Sequence, residues 1–408
     1  MEGKEDFIKL ADRMDLLPPY LFGRLNGIKQ EKRRQGIDVI DLAMGNPNDP
    51  TPGPVVDKLC HVVRDARNHR YSVAPGIHNL RREISRYYDR QHGVSLVPEK
   101  EVICTIGSKE GVSHLSLALL GAGDAVIVPV PAFPIHIYSA VIAGASILPV
   151  PVQDDETLLR KVDALCREAR PAPKALFLNY PHNPTTKTVS LPFFEEAVRL
   201  ARKHRFVIVH DFAYGRVTFD GYEAPSLLQV PGARDVAVEF GTLSKSYNMA
   251  GWRVGYCVGN GKIVEALGKI KGYYDYGLFQ AIQIAAIVAL RDCGDFIEKQ
   301  VKIYETRRDV LCDGLNALGW PVEKPKASMF VWARIPEPFR KMGSLAFSMR
   351  LIEEAEVVLS PGIGFGPEGE GYLRIALVEN EQRIRQALRQ MRRVTNGAAD
   401  RTVSASSC

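Results

Sequence analysis

The sequence predicts an α/β protein with a mostly parallel sheet in a large domain and a second, smaller α+β domain. Over roughly two hundred residues, short apolar runs alternate with segments of helical periodicity, the pattern of a parallel sheet covered on both faces. After about residue 298 a long charged helix is followed by short strands and helices. The length of 408 residues suits about two domains.

The composition is that of an ordinary folded protein and argues against several function classes. Of all residues, 46% are hydrophobic and 25% charged, and the formal net charge of +6 is spread over mixed-sign segments. We find no basic face supported by aromatic residues or motifs, so no nucleic-acid partner is predicted. No apolar run approaches membrane-spanning length, so no membrane partner is expected either.

The cysteines and the chain start indicate a cytoplasmic protein. The seven cysteines show no paired spacing typical of metal ligands, so we predict no metal site and expect reduced, mostly buried thiols. The polar start, Met1-Glu2-Gly3-Lys4-Glu5-Asp6, lacks the apolar core of a secretory signal.

The chain begins with a predicted N-terminal arm, residues 1–20, which ends in a proline pair that favours extended backbone. Such an arm either lies on its own domain or reaches a partner subunit. An amphipathic helix is predicted over 21–36 and a strand over 37–42. The turn Gly45-Asn46-Pro47-Asn48-Asp49-Pro50 exposes backbone, either to approach a ligand or only to link domains.

We assign the large domain to residues 49–298. Its apolar runs predict strands at 102–106, 125–128, 175–178, 206–209, 237–240 and 254–258. A helix over 112–120 follows the first strand. Another precedes the fourth strand, and its apolar residues repeat at helical spacing after Ser190, the predicted cap.

We assign the small domain to residues 21–48 together with 299–395, and a flexible tail to 396–408. Its helices are predicted at 298–318, 344–355 and 381–394, and its strands at 329–333, 357–360 and 372–377. The strand near residue 40 could complete this unit.

Four polar stretches lie at strand ends or just beyond, where open α/β sheets bind ligands. The first, Gly107-Ser108-Lys109-Glu110-Gly111, opens a helix whose free amides and dipole favour a phosphate. Ser108 and Lys109 would add a hydroxyl and a charge. The alternative is a simple capped turn without a ligand.

The second and third stretches carry an amide and a carboxylate. Asn183 lies between two prolines, which hold its amide in one direction; taken alone, this stretch is a turn. Asp211 ends a buried apolar strand, where a carboxylate is costly without a cationic or proton-sharing partner such as a protonated ring nitrogen. The alternative is a capped helix start with Tyr214 in the core.

The fourth stretch runs from Gly241 to Arg253 and contains Lys245 between two serines. This lysine could bond to a carbonyl carbon if burial or neighbouring positive charge lowers its pKa. Ser244 and Arg253 could hold a phosphate, the arginine in a bidentate way that lysine lacks. The alternative is a solvated loop.

The combination Asn183-Pro184, Asp211-x-x-Tyr214, Ser244-Lys245 and Arg253 resembles the fold-type I pyridoxal-phosphate aminotransferases of the aspartate aminotransferase (class I/II) family. The resemblance extends from about Leu17 to Arg393. It implies the fold of these transferases, with a seven-stranded sheet, and a homodimer with shared active sites. The motifs at 131–136, 244–253 and 360–366 resemble most the bacterial alanine-forming (glutamate/pyruvate) transaminases.

The resemblance also implies roles in catalysis. Lys245 would bond covalently to pyridoxal 5'-phosphate and then shuttle a proton from the substrate α-carbon. Asp211 would keep the pyridine nitrogen protonated, so that the ring accepts electrons. Asn183 and Tyr214 would hydrogen-bond the phenolic oxygen of the cofactor.

Further implied roles concern the ends of the site. The residues placed around the phosphate are Ser108, Lys109, Ser244, Arg253 and, from the neighbouring subunit, Tyr71. Phe133 would stack on the cofactor, although relatives often use tyrosine there. Arg374 would clamp the substrate α-carboxylate as the small domain closes, with Gly45 and Asn183 as further substrate contacts. Thr186 replaces a glycine that often ends the Asn-Pro-Thr motif.

The predicted activity is transamination between an L-amino acid and a 2-oxo acid, with alanine/2-oxoglutarate and glutamate/pyruvate as substrates. Aminotransferases of diaminopimelate, aspartate or methionine type are the alternatives within the family. A β-eliminating lyase would release ammonia and pyruvate without a 2-oxo acid. A ligand sensor of this fold needs a DNA-binding domain, for which the arm is too short. The glycines of 362–366 lack the spacing of a dinucleotide loop.

Overall fold

The computed structural model describes residues 8–19, 21–152 and 154–405. The strands are β1 (Ile40–Asp41), β2 (Val102–Ile106), β3 (Ala125–Val130), β4 (Ser146–Pro151), β5 (Pro173–Asn179), β6 (Val207–Asp211), β7 (Ala237–Thr242), β8 (Val254–Gly259), β9 (Phe330–Arg334), β10 (Val357–Val358), β11 (Ser360–Pro361) and β12 (Tyr372–Ala376). The α-helices are α1 (Leu21–Arg34), α2 (Gly53–Val62), α3 (His78–His92), α4 (Pro98–Glu101), α5 (Gly107–Leu119), α6 (Pro134–Ile142), α7 (Asp155–Glu168), α8 (Leu191–His204), α9 (Ala233–Val236), α10 (Leu243–Ser246), α11 (Gly261–Tyr274), α12 (Gln280–Asp292), α13 (Gly294–Ala317), α14 (Ser344–Ala355) and α15 (Glu381–Ala405).

The predicted mostly parallel, seven-stranded sheet is confirmed. Its strand order is β2-β8-β7-β6-β5-β3-β4, and only β8 runs against its neighbours. The apolar runs of β3 and β7 are buried along almost their whole length because helices cover both faces of the sheet. The carboxyl ends of β2, β5, β6 and β7 therefore meet at one edge, where β8 begins.

A second apolar core lies among α13, α14, α15 and the antiparallel sheet β11-β12-β9. Strand β1 pairs in parallel with β10, Ile40 opposite Val357, so the chain near residue 40 joins this smaller unit as predicted. The domain boundaries predicted above remain a proposal.

Some predicted elements have different limits. Helix α5 begins at Gly107 rather than 112, which places Ser108 and Lys109 in its first turn. The strand predicted at 357–360 is split, because Val358 pairs with β1 whereas Ser360 pairs with β12. Ser190 precedes α8, but its side chain makes no capping hydrogen bond.

The predicted flexible tail, 396–408, is a helix through Ala405, since α15 continues past 394. The segment contains no proline to stop a helix. Residues 406–408, including Cys408, lie outside the described residues, as do Tyr20 and residues 1–7 of the predicted arm. The described part of the arm is exposed and contains a short 3-10 helix, Asp12–Met14.

The other six cysteines are free thiols, and five of them are buried, as expected for reduced residues. Among the described residues, none of the helices combines the length and apolar character needed to cross a membrane.

Candidate active site

A cavity of about 760 Å³ opens at the sheet edge where the polar stretches meet. It is lined by all but one of the residues predicted for the site: Gly45, Ser108, Lys109, Phe133, Asn183, Asp211, Tyr214, Ser244, Lys245, Arg253 and Arg374. The exception is Tyr71, whose side chain is 90% exposed and whose ring lies 5.6 Å from that of Tyr276. The structure therefore brings four separate strand exits into one site.

One end of the cavity is an anion cradle. Ser108 and Lys109 lie in the first turn of α5, whose amides have no partners within the helix. Arg253, at a left-handed φ of 58°, donates to the carbonyls of Ala250 (3.1 Å) and Ile106 (3.3 Å) and so lies beside this turn. Ser244 also lines this cavity. Two hydroxyls, two cations and helix amides suit a phosphate.

Close backbone packing holds the cradle together. A Cβ atom on Gly255 would lie 2.7 Å from both Gly107 C and Ser108 N, so only glycine lets β8 approach the start of α5 this closely. The Glu110 carboxylate accepts a hydrogen bond of 2.7 Å from Ile106 N, which fixes the same turn from the other side.

The carboxylate of Asp211 lies deeper in the same cavity. Its Oδ2 is 2.9 Å from Nε2 of His136, and its Oδ1 accepts a hydrogen bond of 3.2 Å from Ala213 N. His136 thus supplies one of the partners that a buried carboxylate needs. No role was predicted for His136. Its position three residues after Phe133 would have been the signal, since both then face the site from the start of α6.

Lys245 projects into the cavity from α10, a single helical turn rather than the loop predicted. Its Nζ donates a hydrogen bond of 2.5 Å to the carbonyl of Gly45. Burial lowers the pKa of this amine to about 8, and the positive charges of Arg374 and Arg253 add to the decrease, while Asp211 opposes it. The condition set by the sequence, a lysine with a lowered pKa, is therefore met.

Arg374 is held rigidly beside the lysine. Its guanidinium carbon lies 4.0 Å and 4.6 Å from the ring centroids of Phe330 and Phe365. Its Nη1 donates to Asn183 Oδ1 (2.7 Å), and its Nη2 donates to Ala43 O (3.0 Å). Two stacked rings and two hydrogen bonds fix the plane of the guanidinium, as bidentate recognition of a carboxylate requires.

Asn183 connects this arginine to the tyrosine predicted with it. Its Nδ2 lies 3.4 Å from the hydroxyl of Tyr214, while its Oδ1 accepts from Arg374. Burial raises the pKa of Tyr214 above its usual value, so the hydroxyl keeps its proton and can donate it in a hydrogen bond.

Phe133 and Lys109 occupy one wall of the cavity. Lys109 Nζ lies 5.9 Å from the Phe133 ring centroid, within the range of a cation–π contact. The ring is a suitable face on which an aromatic ligand could stack.

These features fit pyridoxal phosphate. The anion cradle suits its phosphate, the carboxylate of Asp211 suits a protonated pyridine nitrogen, and Phe133 suits the ring. Lys245 offers an amine that is partly neutral near neutral pH, because its pKa is about 8. The fit to pyridoxal phosphate depends on three features that share one cavity: a buried amine, the anion cradle and a buried carboxylate.

The pKa of Lys245 yields a first prediction. In the cofactor-free protein, the rate of amine acetylation at Lys245 should rise with pH around a midpoint near 8, well below the ordinary value of 10.5. Arg374→Met should move this midpoint upward, because a positive neighbour that disfavours the charged amine is removed. Mass spectrometry of peptides labelled at successive pH values would measure both midpoints.

The matched control is Arg33→Met, which removes another cation that lines the cavity but does not contribute to the lowered pKa of Lys245. Arg33→Met should leave the pH midpoint of Lys245 acetylation unchanged. A parent midpoint near 10.5, or equal shifts in the two variants, would contradict the stated origin of the low pKa.

Comparison with known proteins agrees with this geometry. The family model described as aminotransferase class I and II matches residues 37–391. The chain is 52% identical over 377 residues to the glutamate-pyruvate aminotransferase AlaC of Escherichia coli K12, covering 92% of each chain. It is 41% identical over 384 residues to an LL-diaminopimelate aminotransferase of Moorella thermoacetica, covering 94% of this chain and 98% of that protein.

The fold is similar to that of substrate-bound BacF from Bacillus subtilis. The TM-score is 0.89 at 31% sequence identity, and the match covers 95% of this chain and 98% of that chain. The predicted fold class and enzyme class are both confirmed, and members of the matched family are pyridoxal-phosphate-dependent enzymes. The chain is an aminotransferase and belongs to the aminotransferase class I and II family.

Proposed function

We propose that this aminotransferase binds pyridoxal 5'-phosphate at Lys245 and exchanges amino groups between alanine/2-oxoglutarate and glutamate/pyruvate. The observation that carries the proposal is the position of Lys245. Its amine, with a pKa of about 8, shares one cavity with a phosphate cradle, the Asp211 carboxylate and the Arg374 guanidinium. The 52% identity to AlaC, a glutamate-pyruvate aminotransferase, supports the substrate pair.

When bound, pyridoxal phosphate would supply an aldehyde that bonds to amines and a ring that accepts electrons from the substrate α-carbon. Ser108, Lys109, Ser244 and Arg253 would hold the phosphate. Lys245 Nζ would hold the cofactor until the amino acid takes its place there, and would then, as a neutral amine, remove the proton from the substrate α-carbon. The lowered pKa keeps that amine available as a base near neutral pH.

Arg374 would orient the substrate during this proton transfer. Its guanidinium is stacked between Phe330 and Phe365, so a carboxylate bound to it cannot rotate freely. Fixing the carboxylate presents the α-proton to Lys245 and lowers the entropic part of the barrier. Tyr214 would donate its hydroxyl proton in a hydrogen bond to the phenolic oxygen of the cofactor.

A diaminopimelate-type activity is the second candidate, because a relative 41% identical to this chain is an LL-diaminopimelate aminotransferase. Charges of both signs line the cavity, among them Lys29 and Asp41. Lys29 Nζ is paired with Asp41 Oδ2 at 2.6 Å, so a substrate with a charged distal end would have to compete with this ion pair. The side chain of alanine would not, but the distal carboxylate of glutamate would, so the preference for the alanine/glutamate pair is supported by the identity to AlaC and not by this ion pair.

We also infer a cytoplasmic homodimer with shared sites. Tyr71, Tyr273 and Tyr276 are 90%, 87% and 57% exposed, and the rings of Tyr71 and Tyr276 lie 5.6 Å apart. Exposed aromatic rings are typical of surfaces that protein partners cover. Tyr71 would there reach the phosphate held by the neighbouring subunit, as the family resemblance implies.

A half-reaction screen tests the substrate assignment. The holoenzyme is mixed with single amino acids, and the visible absorbance of the lysine-bound cofactor is followed over time. Alanine and glutamate should both abolish this absorbance rapidly, and diaminopimelate, aspartate and methionine should react more slowly.

Rapid reaction of another amino acid, with failure of both alanine and glutamate, would refute the proposed pair. Release of ammonia and pyruvate without a 2-oxo acid would identify a lyase instead. A protein that stays colourless with pyridoxal phosphate would refute the cofactor assignment.

A further inference from the structure

One short segment contacts both groups that act on the substrate. Residues 43–51, named here the strap, run from the end of β1 past Gly45 towards α2. The carbonyl of Ala43 accepts a hydrogen bond from Arg374, and the carbonyl of Gly45 accepts one from Lys245. A shift of the strap would therefore displace the acceptors of both the guanidinium and the amine.

The strap is anchored to α13 by an ion pair between the partly buried Asp49 and the buried Arg307. Arg307 donates from Nη1 and Nη2 to the two carboxylate oxygens of Asp49, both at 2.7 Å. Gln300 Nε2, on the same helix, donates to Asp49 Oδ2 at 2.9 Å. Burial alone would raise the pKa of Asp49, but these hydrogen bonds outweigh it and lower the pKa, so the carboxylate stays charged.

The anchor continues to the Lys245 segment. Asn248, three residues after Lys245, donates from Nδ2 to Gln300 Oε1 (3.0 Å) and to Pro50 O (3.3 Å). Its own carbonyl accepts from Thr51 Oγ1 at 2.9 Å. Asn248 is buried and has a left-handed φ of 52°. The segment just after Lys245 is thus hydrogen-bonded through Asn248 both to the strap and to Gln300 on α13.

The anchor also continues to the Arg374 strand. Arg307 Nη1 lies 3.4 Å from the carbonyl oxygens of Leu377 and Val378, which directly follow β12. A continuous set of buried polar contacts therefore runs from the Lys245 segment through Gln300, Asp49 and Arg307 to the strand that carries Arg374.

We propose that Asp49, Gln300 and Arg307 are positioning residues that set the separation between the Lys245 amine and the Arg374 guanidinium. The inference rests on the function proposed above, in which these two groups act on one substrate. Lys245 lies on α10, which follows β7 of the seven-stranded sheet, whereas Arg374 lies on β12 of the smaller sheet. Their relative position must be held from outside the cavity, because a misplacement of about 1 Å can cost ~10²-fold in rate.

The same helix offers a matched control. Arg308, the next residue of α13, makes a bidentate pair with Asp220 and has a side chain as deeply buried as that of Arg307, 3% and 6% exposed respectively. Neither Arg308 nor Asp220 lines the active-site cavity. Breaking this pair removes a bidentate arginine–carboxylate pair from the same helix, with a more exposed carboxylate, but leaves the strap alone.

The test compares Asp49→Asn with Asp220→Asn in the holoenzyme. Both should lose stability, because Asp49→Asn removes the carboxylate paired with the buried Arg307 and Asp220→Asn removes one of the carboxylates paired with the buried Arg308, which keeps Asp309. Only Asp49→Asn should lower kcat/KM for alanine, by ~10- to 100-fold with a raised KM. It should also bind 2-methylalanine ~10-fold more weakly; this amino acid has no α-proton to lose, so its binding reports positioning without turnover.

Gln300→Met and Asp49→Glu complete the experiment. Gln300→Met leaves the Asp49–Arg307 ion pair intact and should show smaller decreases in kcat/KM for alanine and in 2-methylalanine affinity. It therefore keeps the test available if Asp49→Asn does not fold. Asp49→Glu keeps the charge and should recover part of the 2-methylalanine affinity. Equal losses in Asp49→Asn and Asp220→Asn, or unchanged 2-methylalanine binding in Asp49→Asn and Gln300→Met, would overturn the positioning role. Failure of the parent protein to bind cofactor would instead refute the proposed function.

Discussion

Lys245→Ala is expected to lower the rate of amino transfer by at least ~10⁴-fold. On the proposed mechanism, the variant loses the amine that would bond to the cofactor and the base that would remove the substrate α-proton, two roles of one atom. The cations whose charges act on this amine, Arg374 and Arg253, are guanidinium groups and do not serve as bases. The phosphate cradle is intact in this variant, so the cofactor can still bind without a covalent bond.

The measurement is single-turnover transfer from alanine at saturating pyridoxal phosphate, with the protein-bound cofactor quantified separately. Lys109→Ala is the matched control, since it removes an amine from the same cavity with the same change in charge. Lys109→Ala should weaken cofactor binding and yet transfer amino groups once saturated. A Lys245→Ala protein that transfers at a rate comparable to Lys109→Ala would refute the assigned chemistry.

Much of the large sheet could be predicted because its strands are buried on both faces and so appear as continuous apolar runs. Strand β4 is the instructive exception. Its sequence, Ser146-Ile147-Leu148-Pro149-Val150-Pro151, contains two prolines and is partly exposed, because it lies at the sheet edge. Proline is tolerated there since one side of an edge strand needs no hydrogen-bond donors. The same prolines make the strand difficult to predict from its sequence pattern.

The site residues could be predicted where each follows its own strand or belongs to a contiguous motif. Asp211 and Lys245 are of this kind, because local sequence places both at one sheet edge. The partner of Asp211 could not be found this way, since His136 comes from a helix 75 residues earlier in the chain. The Asp49–Arg307 pair spans 258 residues and depends on how the two units pack.

The low pKa of Lys245 is likewise a property of the assembled site. Burial is its largest cause, and Arg374 and Arg253, which come next, reach the lysine from a different strand and from the far end of its own segment. The sequence predicts only that such a shift is needed if the lysine is to react. Burial of the amine supplies most of this shift and the charge of Arg374 adds to it, so the residue proposed to clamp the carboxylate would also tune the proposed base.

Asp211→Asn should lower amino transfer by ~10²- to 10³-fold, the range that follows loss of one well-placed electrostatic contact. The amide has the shape of the carboxylate but no charge, and therefore cannot keep the pyridine nitrogen of the cofactor protonated. Cofactor binding should persist, because Lys245 and the phosphate cradle are unchanged. Single-turnover transfer from alanine, compared at equal cofactor content, measures the loss.

His136→Gln separates the charge of Asp211 from its placement. The glutamine amide can donate to Asp211 Oδ2 in place of the imidazole Nε2, which lies 2.9 Å away in the parent protein. If the charge is what matters, this variant should lose much less activity than Asp211→Asn. Similar losses in both would mean that orientation of the side chain dominates, and an Asp211→Asn protein within threefold of the parent would remove the carboxylate from the mechanism. We expect Asp211→Asn to lose more activity than His136→Gln, because only Asp211→Asn leaves the pyridine nitrogen without an anion beside it.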